Sequence, residues 1–337
     1  MLNNAQFDMN IKLTVAISVY NVPDYIEQTL DCVLSQTFSE FEIICIDDAS
    51  SDDTWNILYR YSQMDQRIRL IRQASNKGLS VSRNIAIAEA KGEYILMLDG
   101  DDLFASDMLE KAYQKAKETN ADMTLWDYVV FVNADTISEK KSVPSVLSKL
   151  NLADKISLLR QPAFMWTKLF RTQWLRDMEI SFTSGLTKQD IPVFWKVVTN
   201  TDKIAVVPER LSYYRIQPNQ TSSRKDKSVY ALAYVMDITK QQLLEDGLYE
   251  KYRNEFLRSR LSLLQGMYDH INDELKPSAL TLITDRLGDD ELSYIMDSNN
   301  QLSSRVRNFY RMLRGESLAT LKYTTFNIIR GIYRKLR

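Results

Sequence analysis

The sequence predicts an α/β protein with a doubly wound, mostly parallel sheet and a helical C-terminal region. Between residues 14 and 130, apolar segments of strand length alternate with amphipathic segments of ten or more residues. This alternation is typical of parallel sheets that are covered by helices on both faces. Polar clusters directly follow several of the apolar segments, which places them at the carboxyl edge of such a sheet, where ligands bind.

Four pairs of strand and helix are predicted in succession. The strands are 14–20, 42–46, 67–72 and 94–98, and the helices are 24–36, 53–64, 78–90 and 107–118. A further strand is predicted at 122–130 and is followed by a polar, irregular loop over 133–154. Two more strands, near Ala205 and at 211–215, complete this part of the chain, and helical periodicity begins beyond Ser228.

Length and composition predict more than one folded unit and exclude several classes of protein. With 337 residues and 45% hydrophobic content, we expect an α/β domain over 1–225, a helical accessory region over 226–302 and a basic amphipathic helix over 303–337. A net charge of −1 argues against a general affinity for nucleic acid. Two cysteines, together with the absence of a basic or apolar leader, favour a reducing, cytoplasmic location. No apolar run reaches the roughly 18 residues of a membrane-spanning helix.

The predicted strand at 94–98 ends in an acidic cluster, Asp99-Gly100-Asp101-Asp102. Carboxylates this close disfavour one another's ionised forms, so keeping them as anions requires a nearby cation. A hard divalent ion, bound by one or two carboxylates and by substrate phosphates, would supply that charge. The alternative is that these residues cap the following helix. Neither a Gly-x-Gly-x-x-Gly loop nor a P-loop is present, so metal and carboxylates would have to hold a phosphorylated ligand.

Five motifs occur in the order and spacing of a known family. They are SVYN at 18–21, SQTFSEFEII at 35–44, DDASSD at 47–52, NKGLSVSRN at 76–84 and LDGDD at 98–102. Together they resemble family 2 glycosyltransferases with the GT-A fold, over roughly residues 12–220. The resemblance implies the transfer of a sugar from a nucleotide-diphosphate sugar to an acceptor hydroxyl, with inversion and with the help of Mn or Mg.

The resemblance also implies a uracil site at the ends of the first two strands. Asp48 would accept the N3 proton of uracil, Tyr20 would lie along the base, and Val19 and Asn21 would line the donor pocket. A carboxylate at this place favours uracil over cytosine, whose N3 carries no proton. The alternative is that Asp47 and Asp48 cap the next helix.

The same resemblance gives each residue of the acidic tip a role. Arg83 would organise Asp99 and the diphosphate, with a surface salt bridge as the alternative. Asp99 would contact the ribose of the donor and belong to the metal shell, and Gly100 would also contact the donor. Asp101 would bind the metal directly, and Asp102 would lie next to the ligands without binding the metal itself. The metal charge would offset the negative charge that grows on the diphosphate as the glycosidic bond breaks.

The segment MWTKLF at 165–170 and the pair Gln189-Asp190 resemble two further family segments, with Gln189 in place of the usual glutamate. The resemblance makes Asp190 the catalytic base, which must lie within reach of the acceptor hydroxyl and opposite the leaving group. A plain helix N-cap is the alternative. Trp166 would belong partly to the core or form a platform under a sugar ring. Lys168 would face the diphosphate or an acceptor phosphate.

Gln217 stands where family members often have a histidine as an additional metal ligand, so metal binding would rely on Asp101, diphosphate and water. Ser222 and Arg224 belong to a loop that is predicted to fold over the diphosphate once donor is bound. His270, the chain's single histidine, lies in a helical pattern and is not expected to be a ligand.

Residues 305–337 contain nine Lys or Arg residues and one acid, Glu316. Five apolar residues are predicted to share one helical face: Ile328, Ile329, Ile332, Tyr333 and Leu336. Such a basic amphipathic end predicts an anchor on an anionic membrane surface or, as the alternative, a helix that binds a protein partner.

The sequence therefore predicts an inverting, metal-assisted hexosyltransferase that uses a UDP-sugar to extend a surface polysaccharide or a lipid-linked glycan. We expect it in the cytoplasm, with peripheral attachment to the inner face of the plasma membrane. A nucleotidyltransferase is one alternative, although it would need a basic glycine loop where Asn21-Val22-Pro23 stands. A catalytically idle sugar-nucleotide binding module is the other, and the presence of Asp190 speaks against it.

Overall fold

The computed structural model describes residues 11–132, 137, 145–217, 220, 223–316, 323 and 327. The chain divides into two compact units, Met1–Gln220 and Thr221–Arg337. The predicted uracil, metal and base residues all belong to the first unit, and every regular element described in the second unit is helical. The predicted separation of the second unit at residue 302 stays a prediction.

Within the described residues, eight strands form one sheet in the order β3-β2-β1-β4-β7-β6-β8-β5. Their bounds are β1 Leu13–Val19, β2 Phe41–Asp47, β3 Ile68–Arg72, β4 Tyr94–Asp99, β5 Leu103–Phe104, β6 Met123–Phe131, β7 Lys168–Arg171 and β8 Ile204–Arg215. β1 pairs in parallel with β2 and β4, and β2 pairs in parallel with β3. This half of the sheet has the predicted parallel arrangement.

Four helices lie close to their predicted bounds, three after β1 to β3 and the fourth after the short β5: α1 Pro23–Leu34, α2 Thr54–Met64, α3 Leu79–Glu89 and α4 Met108–Thr119. β1, β2 and β4 are mostly apolar because both of their faces are covered, whereas β3 at the edge of the sheet contains Arg69 and Arg72. On β1, for example, Val15, Ala16 and Ile17 are each 1% exposed or less. This explains why the strands show continuous apolar runs instead of an alternating pattern.

The other half of the sheet differs from the prediction at two places. β7 lies between β4 and β6 and is antiparallel to both. No strand is predicted there from the sequence, because its four residues are too few to show a period. The two strands predicted near Ala205 and at 211–215 are one strand, β8. The register of β6 on β8 shifts at Asp127, which pairs with Arg210. This bulge lets β8 continue past Pro208, which has no N–H to donate.

Three further helices complete the regular α-helices described in the first unit: α5 Lys155–Leu159, α6 Thr172–Asp177 and α7 Asp190–Asn200. Much of the loop predicted over 133–154 lies outside the described residues, and Val146–Lys149 forms a turn of 3-10 helix.

The second unit contains α8 Ala231–Glu245, α9 Tyr249–His270, α10 Lys276–Thr284, α11 Asp289–Met296 and α12 Ser304–Leu313. The predicted apolar residues Leu257, Leu261 and Leu264 of α9 are fully buried. The apolar face predicted over 328–336 lies outside the described residues. Among the helices that are described, none combines the length and the apolar character needed to cross a bilayer.

Candidate active site

The carboxyl ends of β1, β2 and β4 meet at one edge of the sheet, as their parallel pairing requires. The Val19 carbonyl accepts the Asp48 N–H at 3.0 Å. Asn21 joins the two loops that follow β1 and β2, because its N–H donates to Ser50 Oγ at 3.0 Å and its Oδ1 accepts the Ser51 N–H at 2.9 Å. The predicted polar clusters therefore lie side by side, and the Asn21 side chain serves the loop structure.

Asp48 is 4% exposed and holds the segment that leads into α3. Its Oδ1 accepts from Gln73 Nε2 at 2.7 Å and from the Lys77 N–H at 2.8 Å, while its Oδ2 accepts the Gly78 N–H at 2.7 Å. Three of about four acceptor directions are occupied, which leaves one on Oδ2. The N-cap residue of α2 is Asp53, and the preceding Asp52 accepts the Thr54 N–H through its Oδ1 at 2.9 Å.

Tyr20 and Val19 differ sharply in exposure. Tyr20 is 47% exposed, so much of its side chain is open to a ligand, whereas Val19 is 4% exposed. Gly100 lies against Val19, and a Cβ atom on Gly100 would stand 2.7 Å from Val19 Cγ1. The acidic tip reaches the first strand this closely because residue 100 has no side chain.

Arg83 joins the acidic tip to the predicted base. Its side chain is 2% exposed; Nη1 donates to Asp190 Oδ1, and Nη2 donates to Asp99 Oδ1 at 3.3 Å. The guanidinium carbon also lies 5.4 Å from the centre of the Phe182 ring. Asp190 and Arg83 are 107 residues apart in the chain. The alternative of a solvated surface salt bridge is wrong, because Arg83 is buried.

The charges of this cluster depend on one another. Burial opposes the charge of Arg83, but Asp190 and Asp99 raise the pKa of Arg83 above its ordinary value. Burial also raises the pKa of Asp99, with Arg83 opposing that shift and Asp190 adding to it. One cation between two carboxylates leaves the cluster able to accept a further positive charge. Helix capping does not explain Asp99, since its carboxylate binds Arg83.

Asp101 and Asp102 are held by the end of β8 and the residues after it. Gln217 Nε2 donates to Asp101 Oδ2, and the Arg215 N–H donates to Asp102 Oδ1 at 2.8 Å. Burial and the charge of Asp99 raise the pKa of Asp101 to about 6. Burial and the neighbouring carboxylates raise the pKa of Asp102 well above its usual value. Asp102 Oδ2 is buried and has no hydrogen-bond partner among the described residues.

The oxygen donors of this tip suit Mg or Mn, which bind carboxylates, phosphates and water. The described part of the chain contains no group of three or more His, Cys, Asp or Glu residues placed to hold a metal. Asp101 and Asp99 would therefore supply only part of a metal shell. The residues fit a cation that takes its other ligands from a diphosphate and from water.

Asp190 is the first residue of α7, and its side chain is 19% exposed. The N-cap position is occupied by Gln189, and no side chain caps this helix. The N-cap interpretation of Asp190 is therefore wrong. Its carboxylate binds Arg83 and keeps partial access to solvent, which a base needs to meet a substrate hydroxyl.

The structure corrects the suggestion that Trp166 forms a sugar platform. Trp166 is 4% exposed. Its ring is stacked between those of Phe164 and Tyr214, with centroid distances of 5.0 and 5.4 Å and interplanar angles of 9° and 4°. Both faces of the indole are covered, so Trp166 belongs to the core, as the other interpretation held.

The prediction that Lys168 faces the diphosphate or an acceptor phosphate is wrong. Its side chain is 1% exposed, and Nζ donates to the carbonyls of Pro162 and Phe164 at 2.9 and 2.6 Å and to Thr167 Oγ1 at 3.2 Å. Burial lowers the pKa of Lys168 to about 7, against the opposing charge of Asp190. Because its three donors are used inside the protein, Lys168 cannot also bind a phosphate.

Three other predicted residues lie after β8. Gln217 contacts the acidic tip, as expected for the residue in the histidine position. Ser222 lies outside the described residues. Arg224 belongs to the second unit, where its carbonyl oxygen lies 3.0 Å from His270 Nε2. His270 thus contacts a loop carbonyl.

Comparison with known proteins agrees with the fold and the motifs. The family model described as "Glycosyl transferase family 2" matches residues 14–126. The putative teichuronic acid biosynthesis glycosyltransferase TuaG of Bacillus subtilis is 35% identical over 220 residues, which cover 64% of this chain and 83% of TuaG. The poly(ribitol-phosphate) beta-glucosyltransferase of Bacillus spizizenii is 31% identical over 233 residues, which cover 67% of this chain and 34% of that enzyme.

The chain spans between 31% and 62% of the length of four curated relatives, the Bacillus spizizenii enzyme among them. Among solved structures, residues 1–349 of Staphylococcus aureus TarS in complex with UDP-GlcNAc superpose with a TM-score of 0.69 at 23% identity, covering 90% of this chain and 88% of that one. This likeness confirms the predicted GT-A fold. With the parallel β1–β4 half, the acidic tip at Asp99 and the extensive match to TuaG, the chain belongs to glycosyltransferase family 2.

Proposed function

We propose that this chain is an inverting, metal-assisted glycosyltransferase that moves a sugar from a UDP-sugar to a hydroxyl of a growing surface polysaccharide or lipid-linked glycan. The observation that carries the proposal is the buried bridge from Asp99 through Arg83 to Asp190. It places the acidic tip, where a nucleotide diphosphate would bind, next to a partly exposed carboxylate suited to act as a base. Such proximity is what a one-step transfer requires.

The named relatives support the choice of donor and acceptor. TarS was solved with UDP-GlcNAc. TuaG is named for teichuronic acid biosynthesis, and the Bacillus spizizenii relative for glucosylation of poly(ribitol-phosphate). A cell-surface polymer is accordingly the acceptor class that we propose.

For the donor, we assign the base of UDP to the pocket at the ends of β1 and β2. The remaining acceptor direction of Asp48 Oδ2 would take the uracil N3–H, and the exposed Tyr20 would lie along the ring. Because Asp48 is already held by Gln73 and two backbone N–H groups, its carboxylate is fixed before the donor arrives. Preorganisation of this kind reduces the entropy lost on binding.

Asp101 and Asp99 would hold Mg or Mn together with the diphosphate. A bound cation would offset the charge that develops on the leaving UDP. The chain's own contribution is to fix the tip: Gln217 orients Asp101, and the Arg215 backbone N–H orients Asp102. At position 217, where family members often have a histidine ligand, Gln217 would contribute an amide.

Asp190 would remove the proton from the acceptor hydroxyl while that oxygen attacks the anomeric carbon from the side opposite UDP. The attacking oxygen forms a bond to carbon, the bond from that carbon to the diphosphate oxygen breaks, and the proton passes to the carboxylate. Arg83 holds this carboxylate in a fixed direction. A positioned general base of this kind contributes about 10²–10⁴-fold to the rate.

We also propose that the enzyme works at the cytoplasmic face of the membrane, bound by residues 303–337 to anionic lipid or to a protein partner. The support is the basic composition of this segment and the polymer acceptors named for the relatives.

The test is a screen of UDP-sugars by UDP release, with polymer acceptors and with Mn, Mg or chelator. We expect release that depends on metal, and a loss of at least about 100-fold in Asp190→Asn with UDP binding retained. Asp202→Asn is the matched control, since Asp202 has a side chain that is 92% exposed and pairs with Lys155 outside the site. Equal turnover of Asp190→Asn and wild type would contradict the base assignment. Release of pyrophosphate would favour a nucleotidyltransferase, and UDP binding without any turnover would favour a binding module.

A further inference from the structure

A cavity of about 310 Å³ lies in the first unit, beside the bulge of β6 and apart from the acidic tip. Its lining includes Tyr128, Val146, Gln161, Pro162, Lys168 and Arg210. Ligand pockets in proteins range from about 300 to 1,000 Å³. The cavity is therefore large enough for one ring-sized ligand and too small for an oligomer to enter as a whole.

The charged groups around the cavity are already paired. Lys168 directs its ammonium protons to two carbonyls and a hydroxyl. Arg210 Nε forms an ion pair with Asp127 Oδ2 at 3.7 Å, beyond hydrogen-bond distance, and Asp127 Oδ2 accepts from Ser145 Oγ at 2.9 Å. An anionic ligand would have to compete with these partners for each cation. The cavity thus suits an uncharged ligand.

The remaining walls combine aromatic, aliphatic and amide surface. The Tyr128 ring is braced edge-on by Phe164 and Trp166, with centroid distances of 5.7 and 5.1 Å. Val146 and Pro162 supply aliphatic surface, and Gln161 supplies an amide. An apolar wall with a few hydrogen-bonding groups matches a pyranose ring, whose C–H groups pack on apolar surface while its hydroxyls form hydrogen bonds.

The cavity is also linked to the helix that begins at Asp190. Lys168 lines the cavity, and its Nζ lies 4.8 Å from the centre of the Phe194 ring. Phe194 is one helical turn into α7, on the side of Asp190. Lys168 and Phe194 are each 1% exposed, so the wall of the cavity and the helix of Asp190 are packed against each other.

We propose that this cavity binds a neutral sugar unit of the acceptor glycan, at a position remote from the hydroxyl that reacts. This inference rests on the proposed function and adds a subsite that selects the acceptor. Binding there would lower the KM for acceptor without changing donor chemistry.

The test compares Val146→Trp, which fills the cavity, and Gln161→Leu, which removes the amide. Val146 is 69% exposed, so the larger ring can be added at the rim without disturbing the core. Leu152→Trp is the matched control, because Leu152 is 39% exposed and does not line the cavity. Saturation-transfer NMR would measure binding of the methyl glycosides of glucose, galactose and N-acetylglucosamine, with glucuronate as the charged probe.

We expect at least one methyl glycoside to bind wild type and Leu152→Trp equally, and at least tenfold more weakly to both cavity variants. With a polymer acceptor, the cavity variants should raise the acceptor KM tenfold or more and leave UDP binding and acceptor-free hydrolysis of the donor unchanged. The proposal is overturned if no methyl glycoside binds, if Val146→Trp binds as wild type does, or if glucuronate binds better than every neutral probe. Failure of the proposed function would look different, because wild type would then release no UDP from any donor, whether or not it binds UDP.

Discussion

Replacing Arg83 with methionine should destabilise the first unit strongly, because this change removes a buried cation from between two carboxylates. The Arg83 side chain is 2% exposed, whereas those of Asp190 and Asp99 are 19% and 28% exposed. A hydrogen bond to a charged group contributes about 1.5–3 kcal/mol. Solvent reaches the carboxylates, so the lower end of that range applies to each bond.

The contact with the Phe182 ring adds about 0.5–1 kcal/mol. We therefore expect Arg83→Met to lower the free energy of unfolding by about 3–4 kcal/mol, similar to the cost of breaking other buried ion pairs. Methionine keeps most of the apolar volume, so the loss reports the charge and its hydrogen bonds.

Urea unfolding followed by tryptophan fluorescence would measure this loss, since all five tryptophans lie in the first unit. Arg60→Met is the matched control: Arg60 pairs with Glu27, but the two side chains are 57% and 47% exposed, so its loss should cost less than about 1 kcal/mol. A double-mutant cycle with Asp190→Asn should give a coupling of about 1–3 kcal/mol. If Arg83→Met costs no more than Arg60→Met, the bridge does not hold the site together.

Two further predictions concern packing and pH. Gly92→Ala should lower the free energy of unfolding by at least about 2 kcal/mol in the same assay, because its Cβ would stand 2.4 Å from Thr14 N in β1. Gly266→Ala is the control, at an exposed position of α9 with open space around it; it should stabilise the second unit by about 0.5–1 kcal/mol in unfolding followed by circular dichroism. Equal effects of the two substitutions would refute the steric reasoning. Burial lowers the pKa of Lys168 to about 7, so from about pH 7 to pH 10 the unfolded chain binds one proton more than the folded chain, and the free energy of unfolding should rise with pH by up to about 1.4 kcal/mol per unit. Lys168→Met should remove that rise. If the free energy of unfolding changes with pH in the same way in wild type and in Lys168→Met, then Lys168 stays charged in the folded protein.

The local pattern of apolar and polar residues was sufficient to predict the strands and helices of the parallel half of the sheet. Its three inner strands are buried on both faces and appear as short apolar runs, while its helices are amphipathic and show the helical period, so each kind of element has a recognisable pattern. The ends of these elements also placed Asp48 and Asp99 at one edge, since parallel strands share a carboxyl edge. Residues without such a signal were missed. Gln73 binds Asp48, yet nothing adjacent in the sequence marks a lone glutamine as part of a site.

The sequence by itself determined the fold class, the family motifs and the acidic cluster, because these depend on short-range order along the chain. The tertiary structure alone decided which distant side chains meet. In the folded protein, β7 lies between β4 and β6, and both faces of Trp166 are covered. The ammonium of Lys168 is buried among carbonyls, and Arg83 binds Asp190, which is 107 residues away in the chain. The physical reason is that the period of a segment records which of its faces is buried, whereas the identity of the group packed against that face depends on the whole chain.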